Sequence, residues 1–193
     1  MLRITHAAST LLRLHEPIIN TVEANCTLTE ERLKVLKVMS EVTGRLDLNE
    51  FARMVELTPN QTMKHMQELL KADFVRKIGG GYGITETSRA ILKALTPVPT
   101  GMEFHFYRTI GQPTSFAAKS LVDFYEIVKQ ITADSLEFHL YRGDFENWIR
   151  TALNDTAFAE DLANLKNAKL TGENLRKEII QAAEARYGFE KLQ

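Results

Sequence analysis

The side chains whose types and spacing could do chemistry lie between Thr58 and Tyr82. Amide, lysine and histidine side chains follow a threonine–proline pair, and two cations and a tyrosine surround a run of glycines. Amides can pair with adenine edges, lysine with guanine or phosphate, and histidine with either. We therefore expect these residues to contact double-stranded DNA: Thr58, Asn60, Gln61, Thr62, Lys64, His65, Arg76, Lys77 and Tyr82.

Three capping motifs predict the helices that position these residues. Thr27-Leu-Thr-Glu30, Asp47-Leu-Asn-Glu50 and Thr58-Pro-Asn-Gln61 each place a capping side chain three residues before Glu or Gln, which is the pattern of a capping box. They predict a first helix that Gly44 ends, a second helix, and a third helix that ends near Lys71. The second and third helices are separated by only about three residues, which is typical of a helix-turn-helix.

The third helix and the segment after it complete a winged-helix order. Phe74–Ile78 and Tyr82–Ile84 are predicted strands, and Gly79–Gly81 permits a tight reversal between them. Thr85 then begins a further helix that ends near Leu95. In this fold the third helix enters the major groove, and the hairpin, or wing, lies along the DNA backbone or the minor groove. The predicted buried face of the third helix consists of Met63, Met66, Leu69 and Leu70.

Five different stretches of this region, taken in order, make up a characteristic pattern: Leu33-x-x-Leu36, Asp47-Leu-Asn-Glu-Phe-Ala52, Thr58-Pro-Asn-Gln-Thr62, Leu69-Leu-Lys-Ala-Asp-Phe-Val-Arg76 and Tyr82-Gly-Ile-Thr-Glu86. In these stretches, residues 27–95 resemble the winged helix-turn-helix transcriptional regulators of the MarR and ArsR type, especially the compact archaeal ones. Ser88 stands near a position where that superfamily commonly has glycine. The resemblance implies the fold and a role in transcription regulation, and it names no target sequence.

The composition sets limits on partners and cellular location. The formal net charge is −1 over 193 residues, so the prediction of DNA binding rests on motif geometry and not on overall charge. No apolar run approaches the ~20 residues of a membrane span, and the N-terminus lacks the pattern of a secretory signal. The single cysteine, Cys26, excludes an internal disulfide and a cysteine-based zinc site. We expect a cytoplasmic protein with no cofactor, metal or membrane partner, in which Cys26 is an ordinary thiol and not a redox sensor.

The second half of the chain is predicted to be a mainly helical domain with one or few short strands. Two prolines and a glycine make 96–101 a linker, and Glu103–Arg108 is a predicted strand. Thr114 or Ser115 is expected to cap a helix through Val128, and later helices are expected to start at Asp134, Asp144, Asp155 and Thr171. The predicted fold class is thus mainly α (α+β). The predicted parts are an N-terminal helical segment (1–26), a winged-helix domain (27–95), a linker (96–101) and a C-terminal domain (102–193).

Two groups of stretches in the second half resemble an archaeal domain of unassigned function: Gly111-Gln-Pro-Thr with Ala118–Phe124, and Ser135–Ile149. The resemblance implies an archaeal origin and no activity. We expect this domain to bind either a small effector, or another protein or its own twin. Residues 1–26 carry an apolar helical stripe, which either packs on its own domain or serves dimerisation; a homodimer would match two DNA half-sites.

Two further hypotheses compete with a DNA-binding regulator. His105, His139 and Asp144 are ligand types for a metal, but no spacing such as His-x-x-x-His supports a site, and Asp144 is better explained as a helix cap. We see no nucleophile elbow and no phosphate-binding loop, so we expect no enzymatic activity. The other hypothesis is a protein-interaction adaptor that uses the winged helix as a scaffold. It is favoured by Glu68 on the reading face and by the presence of only two cations in the wing.

Overall fold

The computed structural model describes residues 28–42 and 47–192. Within these ranges the chain is mainly helical with two small antiparallel hairpins, which confirms an α+β class. The elements of the first half are α1 Glu30–Glu41, α2 Leu48–Met54, α3 Pro59–Lys71, β1 Val75–Ile78, β2 Gly81–Ile84 and α4 Glu86–Leu95. Those of the second half are β3 Phe104–Thr109, β4 Gln112–Ala118, α5 Leu121–Gln130, α6 Ala133–Arg142, α7 Asp144–Ala152, α8 Thr156–Asn167, α9 Gly172–Tyr187 and a 3-10 turn, Phe189–Leu192. The expectations for 1–26, Thr27 and Gly44 concern residues outside the described ranges.

Side-chain caps start the first three helices. Thr29 is the N-cap of α1, where its hydroxyl accepts a backbone N–H at 3.4 Å; Thr27, to which the sequence assigned a capping role, lies outside the described ranges. Thr29 takes this role because it directly precedes the first helical residue. Asp47 caps α2 by accepting two backbone N–H groups at 2.8 and 2.9 Å. The capping box of α3 is present as predicted, since the N–H of Gln61 donates to Thr58 Oγ1 (3.3 Å) and the N–H of Thr58 donates to Gln61 Oε1 (3.0 Å).

The core of the first half joins α1, α3, α4 and the β1–β2 hairpin. Its buried apolar side chains include Val35, Leu36, Val55, Met66, Leu69, Phe74, Val75, Ile84 and Ile91. On α3, Thr62 is fully buried and Met63 is 37% exposed, so the prediction that Met63 lies in the buried face was wrong. At about 100° per residue, Thr62 points between the directions of Met66 and Leu69, whereas Met63 points about 60° away from Met66 and about 120° away from Leu69. The Thr62 hydroxyl donates to the carbonyl of Thr58 (2.9 Å), which satisfies the buried polar atom.

Helix α4 contributes to the cores of both halves. Ile91 lies in the core of the first half, whereas Ala94 lies in the core of the second. Near the same end of α4, Lys93 Nζ lies 3.1 Å from the carboxylate of Asp155, which also accepts a hydrogen bond from the hydroxyl of Tyr187 (2.8 Å). The two halves therefore share a helix, and Asp155, the N-cap of α8, links it through Tyr187 to α9.

A second hairpin replaces part of a predicted helix. β3 and β4 pair antiparallel with shifts in register, so the prediction that Thr114 or Ser115 caps a helix was wrong. Ala117 and Ala118 pair with His105 and Phe104 of β3, so the stretch after Thr114 is extended and its backbone bonds to a neighbouring strand and not within a helix. The helix begins later, where the Ser120 hydroxyl caps α5.

Candidate nucleic-acid interface

One side of α3 points away from the core and carries alternating amides and lysines. We name it the α3 stripe: Asn60, Lys64, Gln67 and Lys71, all of them exposed. These residues are four, three and four positions apart, which places their side chains within an arc of about 60° on the helix. Gln67 and Lys71 were missing from the prediction, although they continue the spacing of Asn60 and Lys64.

The one carboxylate within α3 does not lie on the α3 stripe. Glu68 accepts hydrogen bonds from Arg32 Nη2 (2.8 Å) and Nε (3.2 Å), and is therefore held against α1. The hydrogen bond from Arg32 keeps the pKa of Glu68 below its usual range. His65 lies on the same side, with Nδ1 3.5 Å from Glu68 Oε2, and it is only partly exposed. The α3 stripe thus presents two cations and no carboxylate, and Glu68, which the sequence placed on the reading face, is only partly exposed and is paired with Arg32.

The structure places the other predicted residues of α3 in different environments. Asn60 and Lys64 lie on the α3 stripe. Thr58 and Gln61 are exposed at the start of the helix, where Gln61 Oε1 also accepts a hydrogen bond from the Thr58 hydroxyl (2.7 Å), so this amide oxygen is engaged in the cap. Thr62 is buried in the core, so its assignment to an interface was wrong.

The β1–β2 hairpin carries the remaining predicted residues on two faces. Lys77 pairs with Tyr82 across the hairpin, and Val75 pairs with Ile84. Because side chains alternate along a strand, Lys77 and Tyr82 share the face of the two buried residues, and Arg76 lies on the opposite face. All three predicted residues of the hairpin are exposed, and the exposed fraction of Tyr82 is 49%.

A groove of about 370 Å³ separates α2, α3 and the hairpin. Its lining is mostly apolar and includes Leu48, Phe51, Met63, Met66 and Tyr82. Ile78, which is 52% exposed, extends the apolar surface onto the other face of the hairpin. An exposed apolar surface of this kind can contact thymine methyl groups or another protein.

The polar cluster of the second half, Ser135, His139 and Asp144, binds the edge of β3, and we name it the clamp. His139 Nε2 accepts a hydrogen bond from the N–H of Tyr107 (2.8 Å), so the ring proton lies on Nδ1 and is donated to Asp144 Oδ2 (2.8 Å). The Ser135 hydroxyl donates to the carbonyl of the same tyrosine (2.7 Å), so α6 covers this edge of the hairpin. Burial lowers the pKa of His139, although Asp144 opposes that shift. Both ring nitrogens are occupied, so in this geometry His139 serves neither as a base nor as a metal ligand.

Asp144 was wrongly predicted to be a helix cap. The residue before α7 is Gly143, with φ +81°, and it has no side chain with which to cap the helix. Asp144 is instead the first helical residue, and its carboxylate accepts hydrogen bonds from His139 and from Arg142 Nε (3.2 Å). His105 is exposed on β3 and does not join this pair. In the described part of the chain, no group of three or more His, Cys, Asp or Glu side chains is arranged to hold a metal ion.

Comparison with known protein families shows a match over the second half of the chain. Residues 84–184, more than half of the 193-residue chain, match the model of a family of unknown function (DUF5752). No curated protein and no solved structure matches the chain. The match includes α4 and crosses 96–101, where Val98 is buried in the second core; the division of the chain at 96–101 stays a prediction. None of the helices in 28–42 and 47–192 has the length and apolar character needed to cross a membrane.

Proposed function

The chain belongs to this family of unknown function, and because membership supplies no activity, we propose from the geometry of the first half that the protein is a DNA-binding transcription regulator. In this proposal residues 28–95 form a winged helix of the MarR and ArsR type. Helix α3 lies in the major groove, and the β1–β2 hairpin is the wing. The order of three helices, a hairpin and a fourth helix supports this assignment.

The observation that carries the proposal is the chemistry of the α3 stripe. A helix fits the major groove, where base edges offer donors and acceptors and phosphates line both sides. The α3 stripe is about 16 Å long at 1.5 Å per residue, and it presents amides to the bases and lysines to the phosphates. Arg32 holds the nearby carboxylate of Glu68 away from this surface, which removes a repulsion from DNA.

The wing and the second half complete the proposed regulator. Lys77 and Tyr82 lie on the core-side face of the hairpin, and Tyr82 shares the groove with α3, so this face can approach the same duplex. The second half serves effector sensing or oligomerisation, which helix α4 can couple to the first half because it lies in both cores. A cytoplasmic homodimer that reads two half-sites is part of the proposal.

The contribution of the wing is tested by the double variant Arg76→Ala/Lys77→Ala. We expect it to reduce the slope of log K against log salt by about 0.9 for a random-sequence duplex. Each phosphate contact contributes about 0.9, and Lys77, but not Arg76, lies on the hairpin face that approaches the duplex. Fluorescence anisotropy at several salt concentrations measures this slope. The matched control is Lys119→Ala/Lys177→Ala, which removes two exposed cations from the second half and should leave the slope unchanged. Binding that is absent at low salt, or equal slopes for both variants, would contradict the proposal.

A second candidate function is a protein-interaction adaptor. It is favoured by the exposed apolar side chains of Met63 and Tyr82 at the groove and of Ile78 on the other face of the hairpin. Such a patch on a protein surface commonly marks an interaction site. Two results together would support the adaptor hypothesis: the protein fails to bind duplex DNA at low salt, and Ile78→Ser/Tyr82→Ser abolishes its association with a partner protein.

A further inference from the structure

We propose that the α3 stripe selects duplexes rich in A·T pairs and reads them in the major groove. The inference rests on the proposed function and adds to it the class of DNA sequence that the protein binds. Asn60 and Gln67 are its base-reading residues, with Met63 beside them. Lys64 and Lys71 alternate with the two amides and bind phosphate.

The amides of Asn60 and Gln67 are available to a ligand. Both side chains are exposed, and neither forms a hydrogen bond with another residue of the described ranges. In contrast, Gln61 Oε1 is engaged by Thr58 in the capping box. An asparagine or glutamine amide matches adenine in the major groove, because its oxygen accepts from N6–H and its nitrogen donates to N7.

The spacing of the two amides fits two adenines on one duplex. Asn60 and Gln67 are seven residues apart, which is about two helical turns and about 10 Å along α3. That distance corresponds to about three base pairs at 3.4 Å per pair. The side chain of Met63 lies one turn before Gln67, is 37% exposed and can contact the methyl group of thymine, the partner of adenine.

The rest of α3 offers little to G·C pairs. The bidentate guanidinium that commonly reads guanine is missing, because Pro59–Lys71 contains no arginine. A carboxylate that could accept from cytosine N4 is also missing from the α3 stripe, since Glu68 is bound to Arg32. Lysine can also pair with guanine, so Lys64 and Lys71 are the groups of the α3 stripe that could bind a G·C pair. We assign them to phosphate because each carries a compact point charge and lacks the planar fork of a guanidinium.

The first test compares the affinity of the full-length protein for alternating A·T and alternating G·C duplexes of equal length. We expect the A·T duplex to bind at least 10-fold more tightly, because one bidentate amide–adenine pair discriminates by about 5- to 150-fold. Gln67→Ala should reduce this preference at least 5-fold while leaving the salt dependence unchanged. Gln181→Ala, which removes an exposed amide from α9, is the matched control and should keep the preference.

Modified duplexes identify the groove that is read. Replacing adenine by 7-deazaadenine removes the N7 acceptor and should abolish most of the preference, and replacing thymine by deoxyuridine should weaken binding less in Met63→Ala than in the wild type. Equal affinity for A·T and G·C duplexes would overturn the inference and leave DNA binding intact. A preference that survives 7-deazaadenine and is lost to a minor-groove ligand would also overturn it. Absence of salt-dependent binding to any duplex would overturn the proposed function itself.

Discussion

Replacing Lys64 and Lys71 by glutamate is expected to weaken binding to a random-sequence duplex by at least about 100-fold at 50 mM salt. Each phosphate contact that is lost changes log K by about 0.9 times the logarithm of the salt concentration, so two contacts account for about two orders of magnitude. The new carboxylates add repulsion from the phosphates. Both lysines are exposed on the α3 stripe, so the fold should persist. Anisotropy measures the affinity, and urea unfolding checks stability.

The control for this charge reversal is Lys119→Glu/Lys177→Glu. It changes the net charge by the same amount, but both lysines lie in the second half of the chain. We expect less than a 3-fold loss of affinity, because exposed charges that lie further from the duplex than the Debye length, about 14 Å at 50 mM salt, are screened. Equal losses for the two variants would show that binding follows net charge, and the assignment of α3 as the reading helix would then be wrong.

Replacing His139 by alanine is expected to lower the free energy of unfolding by about 3–5 kcal/mol. The change leaves the N–H of Tyr107 without its acceptor, at a cost of about 1–3 kcal/mol, and opens a cavity between Phe104 and Phe145, which adds about 2 kcal/mol. Asp144 also loses the hydrogen bond from the ring. Because the whole stability of a domain is about 5–15 kcal/mol, urea unfolding should detect the loss readily. His105→Ala, which removes an exposed histidine from β3, should cost less than about 0.5 kcal/mol.

The same histidine predicts a pH dependence of stability. Burial lowers the pKa of His139 in the folded protein, so the unfolded chain binds the proton more readily. The contribution of His139 is therefore present above an unfolded pKa of about 6.5 and declines as the pH falls towards the folded value. Between pH 7.5 and pH 5, His139→Gln should lose less stability than the wild type, and His105→Gln should behave like the wild type. Equal losses in all three proteins, or a small effect of His139→Ala, would contradict the role assigned to the clamp.

The helix starts of the first half could be predicted because their signals are local. Asp47 and Thr58 bind backbone groups within three residues, so a short stretch of sequence contains the whole interaction. Helical spacing also placed Asn60 and Lys64 on the exposed side of α3, and the same spacing continues to Gln67 and Lys71, which the prediction left out. The buried face of α3 was predicted without Thr62, because a polar residue is not expected there. The core accepts Thr62 because its hydroxyl binds the carbonyl of Thr58.

Contacts between distant residues explain most of the remaining differences. Glu68 turns inward because Arg32, 36 residues earlier, binds it, and no local pattern marks that pair. Asp144 binds His139 because Gly143 ends one helix and lets the next begin without a side-chain cap. The strand β4 depends on pairing with β3, which a helical interpretation of the residues after Thr114 does not take into account.

The measurement that tests the central claim most directly is a titration of ¹⁵N-labelled protein with a random-sequence duplex, followed through backbone amide chemical shifts. The account predicts that the largest shift changes occur in α3, Pro59–Lys71, and in the hairpin Val75–Ile84, and that β3 and β4 do not change. Shift changes confined to the second half of the chain would contradict it. So would unchanged spectra at a salt concentration where a standard DNA-binding protein binds the same duplex.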